Sequence, residues 1–380
     1  MKTIVLYYAT NRNHIGPDQW NPTSYGTKFS NDGTENLRFG KVILQADESK
    51  IESYLKKDCG FGIGDGEGLS DYLSKCSSTA EVTAFREEID HAKSEAVQPD
   101  AKLGSLGMFE ELRMAMLQSA DVLVYIHGFN VSWDGAVGSA CALQESLNAK
   151  YNGNPGKPTM VVLFSWPSDG MALPFVSYKS DRTEASASGK AFGRGVLKLR
   201  DYLIKLRRPD CTDDAPELCN QNIHLLCHSM GNYVLQSAIP RIADFTPSKT
   251  LPRIFEHIFL CAPDVDDEVF ERGQPYELID DLGRYVTVYF NKGDVAMYIS
   301  DYTKGNPERL GTNGAARPTL LHNKVNQVDC TPIVKGIIEH SYYQCGWVIN
   351  DISMSIDSVE MNDARRRRKV AIVPNCWAMG

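Results

Sequence analysis

The chain has 380 residues, 42% hydrophobic and 23% charged, a composition that supports a large buried core and argues against wholesale disorder. Its formal net charge of −8 argues against a general nucleic-acid surface, which needs clustered positive charge. No run approaches the roughly 20 apolar residues of a transmembrane helix. We therefore expect no nucleic-acid partner and no membrane span.

The first hundred residues contain two predicted strands and a polar segment. The strands are residues 3–8 (TIVLYY) and 40–45 (GKVILQ). Residues 46–105 are rich in Lys, Glu and Asp, include a glycine-dense stretch at 60–68, and predict a helix over 79–96. The glycine stretch lacks the G-x-G-x-x-G register that phosphate binding requires. We interpret residues 46–105 as an insertion or a surface excursion.

From residue 107 onward, apolar strands alternate with helical segments. Helices are predicted from LGMFEELRMAMLQSA, over 134–150 and 189–207, and in NYVLQSAI, which Pro240 stops. Strands are predicted in DVLVYIHGFN and over 158–167, 222–232, 254–263, 284–294 and 324–330, the last being the final strand. The segment 222–232 breaks sharply into the helix NYVLQSAI. This alternation predicts an α/β fold with a mostly parallel central sheet and helices on both faces. We expect one domain over 1–360 and a solvated basic C-terminal tail over 361–380.

The ten cysteines show no metal-like C-x-x-C pairs, and we predict neither a metal site nor a cofactor. Cys227 and Cys261 fall inside apolar strands, where they are expected to be buried. A disulfide between Cys211 and Cys219 is left open. A cytoplasmic location is the default expectation.

The candidate nucleophile is Ser229, in Cys227-His228-Ser229-Met230-Gly231. This pentapeptide follows a strand and opens a helix, the setting of a nucleophile elbow, in which small residues on either side let strand and helix approach closely. Cys227 replaces the usual first glycine but is also small. The alternative is an ordinary serine at a helix N-terminus.

The candidate oxyanion-binding groups are backbone amides. In an elbow fold, one comes from the residue after the nucleophile and the other from the loop after an earlier strand. Here these are the N–H groups of Met230 and of Phe129, within His127-Gly128-Phe129-Asn130. We interpret His127 as a structural hydrogen-bonding residue. A plain strand–helix turn is the alternative for this loop.

A serine nucleophile needs an imidazole base and a carboxylate that orients it. In this fold the chain order is Ser, acid, His. Asp294 directly follows a predicted strand and is the favoured acid, whereas Asp264, after the preceding strand, remains the alternative acid. His340 lies beyond the last predicted strand and is favoured as the base over His322, which precedes that strand.

Three further regions are assigned weaker roles. Trp166 is interpreted either as a wall of the acyl pocket or as core packing. Residues 173–178 (LPFVSY) lack a helical period, so Tyr178 is a weak candidate for a lid or substrate loop. The basic run 365–369 (RRRRK) is interpreted as a solvated tail because one short cluster in an acidic chain gives little net attraction.

Six blocks of the sequence together resemble an uncharacterised bacterial α/β-hydrolase family. They are HGFN, FSWPSDG, HSMGN, APDVD, NKGD and HSYY. The resemblance covers roughly 1–45 and 107–345. It implies a serine esterase or lipase-like protein in which Ser229, Asp294 and His340 form the triad, with Phe129 and Met230 around the oxyanion. It implies no particular substrate.

The sequence therefore predicts a serine hydrolase that cleaves small carboxylic esters through an acyl-enzyme. Acyl transfer, amide cleavage or thioester cleavage by the same triad remain alternatives. So does a non-catalytic, hydrolase-like binding protein.

Overall fold

A computed structural model describes most of the chain. The described residues are 1–88, 103–118, 120–149, 158–168, 174–207, 221–297, 308–334, 340–371, 373 and 375–380. Cys211 and Cys219 lie outside the described residues, as do 89–96 of the helix predicted over 79–96.

The described residues form a large mixed sheet and a separate two-stranded hairpin. The strands are β1 Lys2–Thr10, β2 Arg12–Ile15, β3 Ser24–Phe29, β4 Arg38–Ala46, β5 Glu81–Ala84, β6 Asp121–Ile126, β7 Thr159–Ser165, β8 Ile223–His228, β9 Phe255–Cys261, β10 Gly283–Phe290, β11 Val325–Asp329, β12 Arg368–Val370 and β13 Cys376–Met379. The helices are α1 Glu48–Leu55, α2 Gly66–Ser77, α3 Gly104–Leu117, α4 Trp133–Leu147, α5 Pro174–Arg207, α6 Gly231–Asp244, α7 Ile279–Leu282, α8 Leu310–Asn313 and α9 Gly346–Ile356.

The large sheet has eleven described strands in the order β12-β13-β11-β10-β9-β8-β6-β7-β1-β4-β5. Every neighbouring pair from β13 to β1 is parallel, whereas β1–β4, β4–β5 and β12–β13 are antiparallel. The predicted mostly parallel α/β sheet is thereby confirmed. Strands β2 and β3 pair only with each other among the described strands.

The central strands are apolar on both faces because helices cover both. In β6, Val122 and Ile126 pack into the core that includes α3, α5 and α6. Leu123 and Tyr125, on the opposite face, pack into the core that includes α1, α2, α4 and α9. Successive residues of a strand point to opposite faces, so each face receives every second side chain.

Two helices differ from their predicted extent. Helix α5 begins at Pro174 instead of 189, and its small residues allow close packing on α6: a Cβ on Gly189 would lie 2.4 Å from the Cβ of Ser237. Helix α6 continues through Pro240 to Asp244. A proline removes one helical hydrogen bond, but the fully buried Ile242 anchors the last turn.

Residues 46–105 contribute to the sheet and its cover. Where a helix was predicted over 79–96, Glu81–Ala84 form strand β5, which pairs with β4 and supplies partners for its otherwise open edge. Helix α2 packs closely on α4, since a Cβ on Gly138 would lie 2.5 Å from the backbone N of Ser74. The described part of this segment is therefore integral to one end of the sheet.

The expectation of a solvated basic tail is wrong for Arg366 and Arg368, whereas Arg365, Arg367 and Lys369 are exposed. Strand β13 pairs with β11 and β12, so residues 324–330 do not form the final strand. The side chains of Arg366 and Arg368 are buried, and both donate hydrogen bonds to the fully buried carboxylate of Asp351 on α9. This internal carboxylate offsets the cost of burying the two guanidinium groups.

The topology brings the candidate residues to one edge of the sheet. Strands β6, β8, β9 and β10 are parallel and contiguous, so the loops after their carboxyl ends lie side by side. No described helix is both long enough and apolar enough to cross a bilayer.

Candidate active site

Ser229 occupies a sharp turn between β8 and α6 and has a left-handed backbone, with φ of +52°. Such a conformation is costly for a residue with a side chain and persists only where its surroundings enforce it. Two hydrogen bonds do so: Ser229 N–H donates to the carbonyl of Cys261 at 2.9 Å, and its own carbonyl accepts from Asp264 N–H at 3.2 Å. These contacts give residues 227–231 the elbow geometry.

The residues flanking Ser229 fit a crowded turn. A Cβ on Gly231 would lie 2.6 Å from the carbonyl oxygen of Ile126 and 2.7 Å from that of His127, so only glycine fits there. Cys227 is fully buried, and burial raises the pKa of its thiol well above the usual range. As predicted, Cys227 and Cys261 are buried small hydrophobic residues.

His340 and Asp294 form a hydrogen-bonded pair. His340 Nδ1 and Asp294 Oδ2 are 2.7 Å apart. Asp294 is fully buried just beyond β10, and its other oxygen accepts from Ala296 N–H at 3.0 Å. When Nδ1 donates to the carboxylate, the neutral ring leaves Nε2 as a free base.

The imidazole of His340 lies against the elbow. Its ring centroid is 4.7 Å from that of His228, the residue before Ser229. His228 Nε2 donates to the carbonyl of His340 at 3.2 Å, which ties the base-bearing segment to the end of β8. Burial, and then the charge on His340, lower the pKa of His228 well below its usual value, so His228 stays neutral beside the candidate base.

The alternative acid and base have other partners. Asp264 accepts a hydrogen bond from Tyr178 Oη at 2.8 Å, and its second oxygen lies 3.3 Å from Nε of the buried Arg309. His322 is exposed and lies 3.1 Å from Asp280. The structure thus brings together Asp294 and His340, the favoured acid and base, and their catalytic roles stay predictions.

Met230 and the loop that carries Phe129 border Ser229. Met230 directly follows it and precedes the first residue of α6. Phe129 follows Gly128, where a Cβ would lie only 2.9 Å from the Cβ of Ser229. The absence of a side chain at Gly128 is what lets the loop after β6 lie against the serine.

The weak pocket candidates have buried partners. Trp166 is fully buried, stacks on His127 with centroids 5.2 Å apart, and donates from Nε1 to the His127 carbonyl at 2.9 Å. These contacts are those of the core-packing alternative. Tyr178 is also buried; its ring meets the ring of Phe129 edge-on at 5.7 Å while its hydroxyl binds Asp264. Residues from Pro174 onward are helical, unlike the non-helical lid expected over 173–178, and Leu173 lies outside the described residues.

Three buried charged residues near these loops escaped the sequence analysis: Arg12, Asp181 and Arg309. Arg12 follows the apolar strand β1 in the ATNR block, which was its only available signal. Asp181 and Arg309 lie in polar stretches that look solvent-exposed. Within the described chain, no group of three His, Cys, Asp or Glu side chains could hold a metal ion.

Comparison with known proteins identifies the family. Residues 109–350 match the family model described as "Alpha/beta hydrolase of unknown function (DUF900)". This region spans more than half of the chain, and the chain belongs to that family. A comparison with curated proteins finds no match.

Proposed function

From its membership of an α/β-hydrolase family, we propose that this protein is a serine hydrolase that cleaves small carboxylic esters through an acyl-enzyme. The observation that carries the proposal is the Asp294–His340 hydrogen bond beside the left-handed Ser229. A serine without a catalytic role needs neither a buried carboxylate–imidazole pair nor a strained backbone, whereas an activated nucleophile uses both.

In the proposed reaction, Ser229 Oγ attacks the ester carbonyl carbon while His340 Nε2 accepts the hydroxyl proton. The N–H groups of Phe129 and Met230 stabilise the resulting oxyanion. The alcohol leaves with the proton from His340, and the acyl group stays on Ser229. Water then attacks the acyl-serine by the same route, so that ester and water yield acid and alcohol. Asp294 orients His340 and stabilises its charged form.

Labelling by a fluorophosphonate probe tests the nucleophile. We expect one covalent adduct on Ser229, no adduct on Ser229→Ala, and full labelling of the control Ser248→Ala. Ser248 is a suitable control because it is also a left-handed serine, with φ of +57°, but is exposed and lies beyond the end of α6. No adduct on the wild-type protein would reject the nucleophile and would favour the non-catalytic binding protein.

Hydrolysis of p-nitrophenyl esters of graded acyl length tests the reaction. Asp294→Asn should lower kcat by about 10⁴-fold with the fold retained, which is the order of loss seen when a triad carboxylate becomes an amide. The control Asp281→Asn removes an exposed carboxylate at the opposite end of β10 and should leave kcat unchanged. Adding competing alcohols or amines, and supplying amide and thioester analogues, separates hydrolysis of esters from the alternative acyl-transfer reactions.

A further inference from the structure

Four fully buried polar side chains converge behind the loop that carries Phe129. They are Arg12 on β2, His127 at the start of the loop, Ser168 after β7 and Asp181 on α5. Burying such groups is costly unless each is hydrogen-bonded. Each of the four side chains has one hydrogen bond with the backbone of residues 128–131, and these bonds constrain that backbone.

His127 determines the orientation of one peptide. Its Nε2 accepts from Trp166 N–H at 3.2 Å, so the proton of the neutral ring is on Nδ1, which donates to the Gly128 carbonyl at 2.9 Å. Burial, and then the positive charge of Arg12, lower the pKa of His127 to about 3, which keeps this tautomer neutral. In a planar trans peptide the carbonyl and the next N–H point in opposite directions. The Phe129 N–H therefore points away from His127 and the buried cluster.

Asp181 and Ser168 hold the next two peptides. Asp181 Oδ2 accepts from Asn130 N–H at 3.2 Å and from the Ser168 hydroxyl at 2.6 Å. Ser168 Oγ in turn accepts from Val131 N–H at 3.2 Å. Asn130 has φ of +57°, a conformation that asparagine tolerates but that still needs support. The turn after Phe129 is thus secured from helix α5.

Arg12 completes the cluster from the other side. Its Nη2 donates to the Val131 carbonyl at 2.7 Å, and its Nε donates to Ser165 Oγ at 2.8 Å. Burial lowers the pKa of Arg12 to about 9, and the negative charge of Asp181 opposes that shift. Arg12 is consequently cationic at neutral pH, and the guanidinium and the carboxylate balance each other in the interior.

We propose that Asp181, Ser168 and His127 are positioning residues that hold the Phe129 N–H toward Ser229, where an oxyanion would form. This inference rests on the proposed hydrolase function. None of the three residues touches the substrate. They act by preventing the Gly128–Phe129 peptide from rotating. A rotated peptide would present its carbonyl in place of the N–H donor, and the carbonyl would repel the oxyanion.

The matched pair Ser168→Ala and Ser355→Ala tests the proposal. Ser355 is likewise buried, and its hydroxyl donates to the Asp351 carbonyl at 2.9 Å and accepts from Arg366, on the far side of the sheet. Both variants lose buried hydrogen bonds, but only Ser168 contacts the loop. We expect kcat per fluorophosphonate-labelled site to fall about 10-fold or more in Ser168→Ala and to change less than about 2-fold in Ser355→Ala. The ceiling is the 10²–10³-fold loss caused by deleting one oxyanion donor.

A second readout separates positioning from stability. A trifluoromethyl ketone forms an oxyanion on the serine, whereas the product acid does not. Affinity for the ketone should fall in parallel with kcat, and affinity for the acid should stay within about 2-fold of wild type. Asp181→Asn keeps the side-chain volume but removes the charge, and it should likewise lose affinity for the ketone but not for the acid. This variant replaces Ser168→Ala in the test if Ser168→Ala does not fold.

The outcomes distinguish the two proposals. Wild-type protein that neither hydrolyses esters nor labels at Ser229 would reject the proposed function and the inference together. Active wild type with equal kcat per labelled site in the Ser168 and Ser355 variants, or with unchanged ketone affinity, would overturn the inference alone. Parallel loss of kcat and ketone affinity confined to the loop variants would support it.

Discussion

Gly128→Ala should lower kcat while leaving the protein folded. The added methyl would lie 2.9 Å from the Cβ of Ser229, 3.2 Å from Nδ1 of His228 and 3.4 Å from the His228 carbonyl. The closest of these atoms cannot turn away, because Ser229 is held in its left-handed conformation by hydrogen bonds to Cys261 and Asp264. The loop after β6 must move instead.

The size of the effect follows from two contributions. Overpacking a well-packed site typically costs about 1–3 kcal/mol of stability. Displacing Phe129 weakens one oxyanion donor, and complete loss of such a donor costs about 2.7–4 kcal/mol of transition-state stabilisation, or 10²–10³ in kcat. We expect kcat to fall between about 10-fold and 10³-fold, with the folded protein still formed at 25 °C.

Gly135→Ala is the matched control. Its Cβ would lie 3.4 Å from Ser132 Oγ and from Val131 Cγ1, which is ordinary van der Waals contact, and it lies within helix α4. Ester hydrolysis per labelled site and thermal melting should be measured for both variants. If kcat of Gly128→Ala lies within about 2-fold of kcat of Gly135→Ala, Gly128 is not in close contact with Ser229 and the proposed site geometry is wrong.

Two further predictions concern stability. Asp351→Asn should lower the free energy of unfolding by about 3–5 kcal/mol in urea titrations, because Arg366 and Arg368 stay buried without their carboxylate; a loss below 1 kcal/mol would contradict this role. Burial, and then the charge on His224, lower the pKa of His257 to about 3, against about 6.5 in the unfolded chain. Between these two pKa values, the unfolded state binds a proton that the folded state does not. The free energy of unfolding is therefore unaffected by His257 above pH 6.5 and falls toward pH 3, by up to about 1.4 kcal/mol per pH unit. His257→Phe should flatten the acid limb of the stability profile by that amount, and parallel profiles for both proteins would refute the assignment.

Much of the fold was predictable because its central strands are apolar on both faces. Strands such as β6 and β8 must be covered by helices on two sides, and that requirement appears directly as continuous apolar runs in the sequence. The edges were harder to predict. Strand β5 has no continuous apolar run, and it forms because it pairs with the open edge of β4. Arg366 looks solvent-exposed in the sequence, because its buried partner Asp351 is not apparent there.

The candidate site also has features that the sequence predicts and features that depend on the packing of distant residues. The sequence was enough to predict that a serine follows one strand in a tight turn, that a glycine-containing loop follows another, and that an aspartate and a histidine come later in the expected order. The turn and the loop are local patterns that local sterics dictate, and the order of the acid and the base can be read along the chain.

Which carboxylate meets the imidazole depends on the packing of segments that are distant in the chain. Asp264 and Asp294 both follow strands, but Asp294 contacts His340, whereas Arg309 and Tyr178 surround Asp264. Likewise, the buried support of Phe129 comes from β2, β7 and α5, segments far apart in the chain. Pairings between distant residues depend on the three-dimensional path of the backbone, which no local pattern of side chains encodes.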